Sequence, residues 1–209
     1  MSMNRRTLMG IGAGAALSSL DLLGEMKVPK PAPELVIALN SGEQLLLSKF
    51  RGKIVVLEFL LTTCPHCQKC SAVMQKLHND MGGDKAFTPL GAAVNPNDMT
   101  EARMLIPSYV YNLGLRFPVG YSKREMAYQW LEATGPGANL YFPQVVIIDK
   151  KGIIREYHPG TDEAFFKDEE ANMRKAIENL MKEGATGAKV PAAKTTGTKS
   201  APVQAEKKG

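Results

Sequence analysis

The three cysteines of this 209-residue chain all lie in one short stretch, Glu58–Cys70, which reads EFLLTTCPHCQKC. Cys64, Cys67 and Cys70 follow one another at intervals of three residues, and a proline and a histidine separate the first two. Three cysteines are too few for a disulfide framework. The spacing therefore indicates a redox pair, a metal site or a group of buried thiols.

Cys64 stands where an apolar run ends and a helical pattern begins, which puts its thiol at a helix N-terminus. Pro65 suits the first turn of that helix, because an N–H at that position would have no helical partner. The positive end of the helix dipole favours the thiolate, which is the nucleophile in thiol chemistry. Cys67, one turn further on, is placed to resolve a mixed disulfide. His66, as a cation or a donor, would stabilise the thiolate further and make the pair a better oxidant.

A resident metal would need more ligands than this stretch offers. An iron–sulfur run requires a fourth cysteine where Met74 stands, and the histidines outside the stretch, His78 and His158, have no spacing diagnostic of zinc. Copper(I) accepts two thiolates and a nearby methionine, so it stays an alternative. Cys70 is either a buried thiol that packs as a small hydrophobe or a third redox partner or metal ligand. We predict no metal or cofactor.

The elements that must hold these residues follow from the hydrophobic pattern. Residues 54–61 form a nearly continuous apolar run, typical of a strand buried on both faces. The helix that follows has one apolar stripe, formed by Cys70, Val73, Met74, Leu77 and Met81. Upstream, two short strands flank an Asn-Ser-Gly turn at residues 40–42.

Downstream, the pattern predicts a strand over 88–94, a helix with Asn97 as its N-cap and a break at Pro107, and a short strand at 117–121. A helix capped by Ser122, a β-hairpin over 143–158 and one long helix that stops at Gly184 complete the order. This order predicts an α/β fold, with a central mixed sheet flanked by helices and an N-terminal β-hairpin extension.

The two ends of the chain are predicted to lie outside this domain, which we place at residues 32–183. Arg5 and Arg6 precede an apolar stretch shorter than the roughly 20 residues that span a bilayer. Residues 1–31 therefore resemble an export signal of the twin-arginine type and a linker. We expect a periplasmic or otherwise extracytoplasmic protein, whose N-terminal segment is either cleaved or kept as an anchor.

Residues 184–209 are predicted to be a disordered basic tail, because they contain almost no large apolar side chain. They carry five lysines and one glutamate, so +4 of the net charge of +5 lies there. The predicted domain is nearly neutral, and we predict no nucleic-acid partner.

Two motifs together resemble the thioredoxin superfamily, and within it the exported TlpA/ResA-like thiol–disulfide oxidoreductases. The first is the hairpin, the Arg-Gly-Lys and the buried strand that lead into Cys-x-x-Cys; the second is FPQVVIIDKKGIIREYHPG. The resemblance covers about residues 32–183 and implies a thioredoxin-like fold. It makes Cys64 the attacking cysteine and Cys67 the resolving one. It also makes Pro143 a cis-proline that faces the disulfide, and Phe142 a contact for the substrate backbone.

The resemblance also implies a role for Glu58, which precedes Cys64 by six residues. Thioredoxins have a buried carboxylate there, which assists proton transfer to the resolving cysteine. A buried charge is costly unless it is paired or protonated, so Glu58 would be a general acid/base with a raised pKa. The alternative is a glutamate that reaches a lysine at the edge of the strand.

The implied partners are protein thiols or disulfides and a protein that recycles the redox pair, either in the membrane or outside it. The Pro-His pair between the cysteines is typical of DsbA-type oxidants, so both redox directions stay open. A thiol peroxidase is a further alternative on the same fold, although Leu61 and Leu57 stand where peroxiredoxins have threonine and proline. A copper(I) carrier that uses Cys64 and Cys67 is the other alternative.

Overall fold

The computed structural model describes residues 26–134 and 137–186, whose strands form a single sheet. The strands are β1 (Lys30–Pro31), β2 (Val36–Ala38), β3 (Gln44–Leu46), β4 (Val55–Leu60), β5 (Thr88–Ala93), β6 (Val119–Tyr121), β7 (Gln144–Ile148) and β8 (Ile153–His158). The helices are α1 (Pro65–Asp80), α2 (Met99–Leu113), α3 (Arg124–Trp130), α4 (Glu163–Lys167) and α5 (Glu169–Thr186). The strand order is β1-β8-β7-β4-β5-β6-β2-β3.

The sheet is mixed, and β4 lies near its centre. β4 pairs with β5 in parallel and with β7 antiparallel, and β5 pairs with β6 in parallel. The outer strands β8, β1, β2 and β3 all pair antiparallel. The predicted α/β fold with a mixed sheet, flanking helices and an N-terminal hairpin (β2 and β3) is confirmed.

Both faces of β4 are buried, as its apolar sequence predicts. Val56 and Leu60 point into a core formed with α1, α2 and α5. Val55, Leu57 and Phe59 point into a second core that contains Trp130 of α3. Because side chains alternate along a strand, Glu58 lies on the face that α1, α2 and α5 cover. The one charged residue of this strand is therefore directed at the helix that carries the cysteines.

Helix α2 differs from the prediction at its start and at its proline. Its N-cap is Asp98 rather than Asn97, and the Asp98 side chain accepts hydrogen bonds from the amides of Thr100 and Glu101. The helix continues through Pro107, which cannot bond the carbonyl of Arg103. That carbonyl accepts a hydrogen bond from the Asn40 side chain at 3.5 Å. A contact from a distant loop thus compensates for the missing helical bond.

Two further helix boundaries differ from the prediction. The N-cap of α3 is Lys123 rather than Ser122. The long terminal helix is broken at Asp168 into α4 and α5, and the Asn172 side chain donates hydrogen bonds to the carbonyls of Ala164 and Phe165 at the end of α4. Helix α5 runs to Thr186, past the predicted stop at Gly184.

The predicted ends of the chain fall largely outside the described residues. Most of the predicted export signal and linker (1–31) and most of the predicted tail (184–209) belong to that part, so both stay predictions. At the boundary, β1 pairs with β8 through Lys30 and Pro31, so the sheet starts before the predicted domain limit at residue 32. Within the described residues, none of the helices combines the length and apolar character needed to cross a bilayer.

Candidate active site

Cys64 lies in the turn between β4 and α1, where it is the N-cap residue of the helix. Its backbone is extended, with φ of −86° and ψ of 119°, and Pro65 occupies the first helical position. The Cys64 amide donates to the carbonyl of Leu61, and the Cys64 carbonyl accepts from the amide of Gln68, both at 3.0 Å. The thiol is half-buried and free. The sequence correctly predicts this strand-to-helix junction, which leaves a nucleophilic side chain accessible.

The predicted substrate loop faces Cys64. The Cys64 thiol lies 3.8 Å from the carbonyl oxygen of Phe142, as a donor. The peptide bond between Phe142 and Pro143 is cis, as the resemblance implies. Residues that are 78 positions apart in the sequence are thereby brought together at one end of the sheet.

The cis-proline loop is held by two residues that the sequence analysis did not single out. The amide of Gly160 and the side chain of Gln144 both donate hydrogen bonds to the carbonyl of Tyr141, at 2.9 and 2.6 Å. Tyr157 in turn donates to the Gln144 amide oxygen. A methyl group at position 160 would lie 2.1 Å from the Tyr141 oxygen, so only glycine fits there. The second motif ends with Pro159 and Gly160, and a glycine at that position could have indicated a close approach of two backbone segments.

Cys67 lies behind Cys64 and is fully buried. Its sulfur accepts a hydrogen bond from the amide of Leu61 at 3.5 Å. Burial, and next the negative charge of Glu58, raise the pKa of the Cys67 thiol. The pair is therefore asymmetric: one accessible thiol, and one enclosed thiol that needs a base before it can act as a nucleophile.

Glu58 is fully buried and lies on the same side of the sheet as the cysteines. Its Oε2 accepts a hydrogen bond from Ser71, while its Oε1 has no hydrogen-bond partner. Burial is the main cause that raises the pKa of Glu58, the Ser71 hydrogen bond opposes this effect, and Glu169 and Cys64 add to it. The alternative in which Glu58 reaches a surface lysine is wrong, since its side chain is enclosed and bonded to Ser71.

Ser71 and Tyr109 complete this buried network, and the sequence analysis missed both. The Ser71 hydroxyl lies 2.8 Å from the Tyr109 hydroxyl, and the Tyr109 hydroxyl donates to the carbonyl of Cys67 at 3.1 Å. Ser71 is one helical turn beyond Cys67, so its position on the buried face of α1 could have been inferred. Tyr109 comes from α2, and no sequence spacing connects it with the cysteines.

Cys70 is fully buried within the core beneath α1. Burial raises the pKa of its thiol well above the ordinary value, and the charges of Glu58 and Glu169 act in the same direction. The Cys70 thiol also interacts with the Glu58 carboxyl as a donor. These surroundings favour a packed, protonated thiol.

Pro65 and His66 are both exposed on the first turn of α1. The predicted influence of His66 on the Cys64 thiolate stays a prediction.

With respect to metals, the described residues hold no group of three or more histidine, cysteine, aspartate or glutamate side chains arranged around a common point.

Comparisons with known proteins agree with this geometry. Residues 28–157 match the model of the AhpC/TSA family. The chain is 26% identical over 130 residues to the thioredoxin-like protein YneN of Bacillus subtilis, an alignment that covers 62% of this chain and 70% of that protein. It is also 26% identical over 134 residues to the thiol-disulfide oxidoreductase ResA of Geobacillus thermodenitrificans, covering 64% and 70% of the two chains.

Solved structures show the same fold. A thiol:disulfide interchange protein of the thioredoxin family from Chlorobium tepidum superposes with a TM-score of 0.55 at 19% identity, over 75% of this chain and 99% of that one. A thiol:disulfide interchange protein from Bacteroides sp. gives a TM-score of 0.57 at 18% identity, over 78% and 95%. The predicted resemblance to thioredoxin-like proteins is confirmed, and the match over residues 28–157 shows that the chain belongs to the AhpC/TSA family.

Proposed function

We propose that this protein is an exported thiol–disulfide oxidoreductase that exchanges disulfides with protein thiols through Cys64 and Cys67. One observation carries the proposal: the accessible Cys64 thiol lies 3.8 Å from the Phe142 carbonyl of the cis-proline loop, with the enclosed Cys67 behind it. An accessible nucleophile, a buried resolving thiol and a peptide-facing loop are the three parts that disulfide exchange requires.

The enzyme class predicted from the sequence, a thioredoxin-like thiol–disulfide oxidoreductase, is confirmed by relatives that bear this name. The specific use of the Cys64–Cys67 pair, the export and the partners belong to our proposal. Export is supported by Arg5 and Arg6 ahead of a short apolar stretch.

In the reductive direction, the Cys64 thiolate attacks one sulfur of a substrate disulfide. A bond forms between Cys64 and that sulfur, and the other substrate sulfur leaves as a thiolate. Cys67 then loses its proton and attacks the sulfur of Cys64, which releases the second substrate thiolate and leaves a Cys64–Cys67 disulfide. Two electrons pass from the protein to the substrate, and the oxidative direction is the reverse sequence.

The buried network provides what the second step needs. Cys67 has a raised pKa, so its attack requires a base at close range. Glu58 is the nearby carboxyl with a raised pKa, and it carries an oxygen without a hydrogen-bond partner. We assign Glu58 as the group that accepts the Cys67 proton and returns it in the reverse reaction.

A thiol peroxidase is a second candidate, since the family model that matches bears the AhpC/TSA name. Peroxidase chemistry would consume hydrogen peroxide in the presence of a thiol reductant, with Cys64 as the nucleophile. A peroxide-consumption assay on the wild-type protein separates the two functions. If the protein has no peroxidase activity, hydrogen peroxide disappears no faster than in the buffer control.

The experiment that tests the proposed function compares three single variants with the wild-type protein. Insulin reduction in the presence of dithiothreitol should be lost in Cys64→Ser and in Cys67→Ser, whereas the matched control Cys70→Ala should retain it. Activity that survives Cys64→Ser would overturn the proposal. The direction follows from the reduction potential of the pair, near −120 to −180 mV for an oxidant or isomerase and about −270 mV for a reductant.

A further inference from the structure

The buried carboxyl of Glu58 is hydrogen-bonded to two hydroxyl groups in series. Ser71 donates to Glu58 Oε2, Ser71 Oγ lies 2.8 Å from the Tyr109 hydroxyl, and Tyr109 donates to the Cys67 carbonyl at 3.1 Å. Glu58 and Ser71 are both fully enclosed. A proton that arrives at Glu58 therefore has no direct contact with water.

Tyr109 is itself largely buried. It lines a groove of about 210 Å³ between the start of α1 and the side of α2. The groove is large enough for several water molecules. Much of its wall is polar, formed by Thr62, Thr63, Gln68, Ser108 and Asn112.

The hydrogen-bond chain can exist in two directions, because each hydroxyl can both donate and accept. With Glu58 ionised, Tyr109 can donate to Ser71, which donates to the carboxylate. With Glu58 protonated, the carboxyl can donate to Ser71, Ser71 to Tyr109, and Tyr109 to the Cys67 carbonyl. The carbonyl of Cys67 thus offers the acceptor that the second arrangement needs, and Glu58 Oε2 has a hydrogen-bond partner in both protonation states.

We propose that Ser71 and Tyr109 form a proton path that joins Glu58 to the groove between α1 and α2. This inference rests on the proposed function, in which Cys67 passes its proton to Glu58. When Cys67 attacks the mixed disulfide, its proton moves to Glu58 and a proton moves from Glu58 through Ser71 to Tyr109. Tyr109 then turns its own O–H from the Cys67 carbonyl towards the groove and releases that proton to water. The reverse reaction takes up a proton by the same path. Ser71 and Tyr109 touch no reacting sulfur and act only through Glu58.

Several titratable groups surround Glu58. Cys64 at the N-cap of α1, Cys67 and Cys70 within α1, and Glu169 of α5 act on it electrostatically, and Glu169 pairs with Lys69 at 2.9 Å. Its neighbours in the sheet, Gly91 and Val145, carry no charge. Tyr109 of α2 is the remaining titratable group that faces it. Within the described residues, the hydrogen bond of the Glu58 carboxylate leads to Ser71 and, through it, to Tyr109.

The two exchange steps can be observed separately with dithiobis-nitrobenzoate as the substrate disulfide. Reduced protein in excess releases one coloured thionitrobenzoate when Cys64 attacks, and a second when Cys67 resolves the mixed disulfide. The rates of both phases are measured over a range of pH for the wild-type protein, Tyr109→Phe, Ser71→Ala and the double variant. Tyr121→Phe is the matched control, since its hydroxyl bonds the Asn97 carbonyl, away from Glu58.

We expect Tyr109→Phe and Ser71→Ala each to slow the second phase by about a hundredfold near neutral pH, at the lower end of effects for proton transfer. The first phase should be unchanged, and the deficit should shrink as rising pH lets hydroxide take the proton. The double variant should be no slower than the slower single variant, because both changes interrupt one serial path.

Three outcomes would overturn the path: an unchanged second phase in Tyr109→Phe, equal slowing of both phases, or slowing in the double variant that multiplies the single effects. A wild-type protein that releases no second thionitrobenzoate would instead overturn the proposed function, and the path with it. The two failures are therefore distinguishable from the wild-type trace alone.

Discussion

The amide of Gly160 donates a hydrogen bond to the carbonyl oxygen of Tyr141 at 2.9 Å, and a methyl group at position 160 would lie 2.1 Å from that oxygen. The segment after β8 therefore packs directly on the backbone of the loop that faces Cys64. Because the obstructing atoms belong to the main chain, they cannot move aside as a flexible side chain would. The position of the cis-proline loop depends on the absence of a side chain at residue 160.

The first prediction concerns this contact. Gly160→Ala should displace the Tyr141–Phe142 backbone and lower the rate of insulin reduction by on the order of tenfold to a hundredfold, the range expected for a misplaced reacting group. It should also reduce the free energy of unfolding by about 1–3 kcal/mol. Thr161→Ala, at the exposed neighbouring position, is the control for both measurements. Normal activity in Gly160→Ala would show that the loop tolerates displacement.

The second prediction concerns the pH dependence of stability. The pKa of Glu58 is raised above its ordinary value of 4.5, so at pH values between the unfolded and folded pKa the folded protein binds a proton there that the unfolded chain has lost. The folded state is thus favoured most below the ordinary pKa, and this advantage is lost as the pH rises towards the folded-state pKa. Glutamine cannot ionise, so Glu58→Gln removes the destabilisation that a buried carboxylate causes at high pH. We therefore expect this variant to raise the free energy of unfolding at about pH 8 by roughly 1–3 kcal/mol.

Urea denaturation at about pH 8 and about pH 4 checks this sign, because the advantage of Glu58→Gln should vanish at the lower pH. The exposed Glu125→Gln serves as the control and should show no such difference. A stabilisation that is equal at both pH values would mean that ionisation of Glu58 is not its cause.

The third prediction concerns His66, which is exposed on the first turn of α1. If its imidazole stabilises the Cys64 thiolate, His66→Ala should make the pair less oxidising, with a reduction potential lower by about 10–30 mV. His78→Ala is the matched control, since His78 lies near the other end of the same helix. Titration of all three proteins in glutathione buffers gives the potentials, and equal values would remove His66 from the redox pair.

The fourth prediction separates the two interpretations of Cys70. Its enclosed position in the core favours packing over exchange chemistry. Cys70→Ala should therefore keep disulfide exchange within about twofold of the wild-type rate and lower the free energy of unfolding by about 1 kcal/mol, the cost of a small cavity. Loss of exchange in a variant that remains folded by circular dichroism would instead identify Cys70 as a redox partner.

The fold was predictable because its signals are local. The apolar run of β4, the helical stripe after Cys64 and the hairpin of β7 and β8 each appear within a few residues of sequence, and each is present. The helix boundaries were less accurate where distant residues decide them. Asn40 supports the continuation of α2 through Pro107, and Asn172 caps α4 at a break that no glycine or proline marks.

The residues of the candidate site also form two groups, those that a sequence motif identifies and those that only the packing of distant elements reveals. Cys64, Cys67 and Glu58 could be identified because they occur in one motif, and Phe142 and Pro143 because a second motif contains them. Ser71 and Tyr109 were missed, since their roles depend on the packing of α2 against α1. Gly160 was missed because its significance lies in a contact with residue 141 and not in the turn that contains it.

The fixed geometry of the cis-proline loop bears on the range of chains that this protein can accept. The Tyr141 carbonyl is held by Gly160 from one side and by Gln144 from the other, so the loop is already ordered before a peptide arrives. The loop then loses little conformational entropy when a peptide binds. Main-chain hydrogen bonds can supply affinity that does not depend on the side chains of the peptide. We therefore expect broad substrate tolerance, with discrimination set by whether a cysteine lies in an extended, accessible segment and not by the residues that surround it.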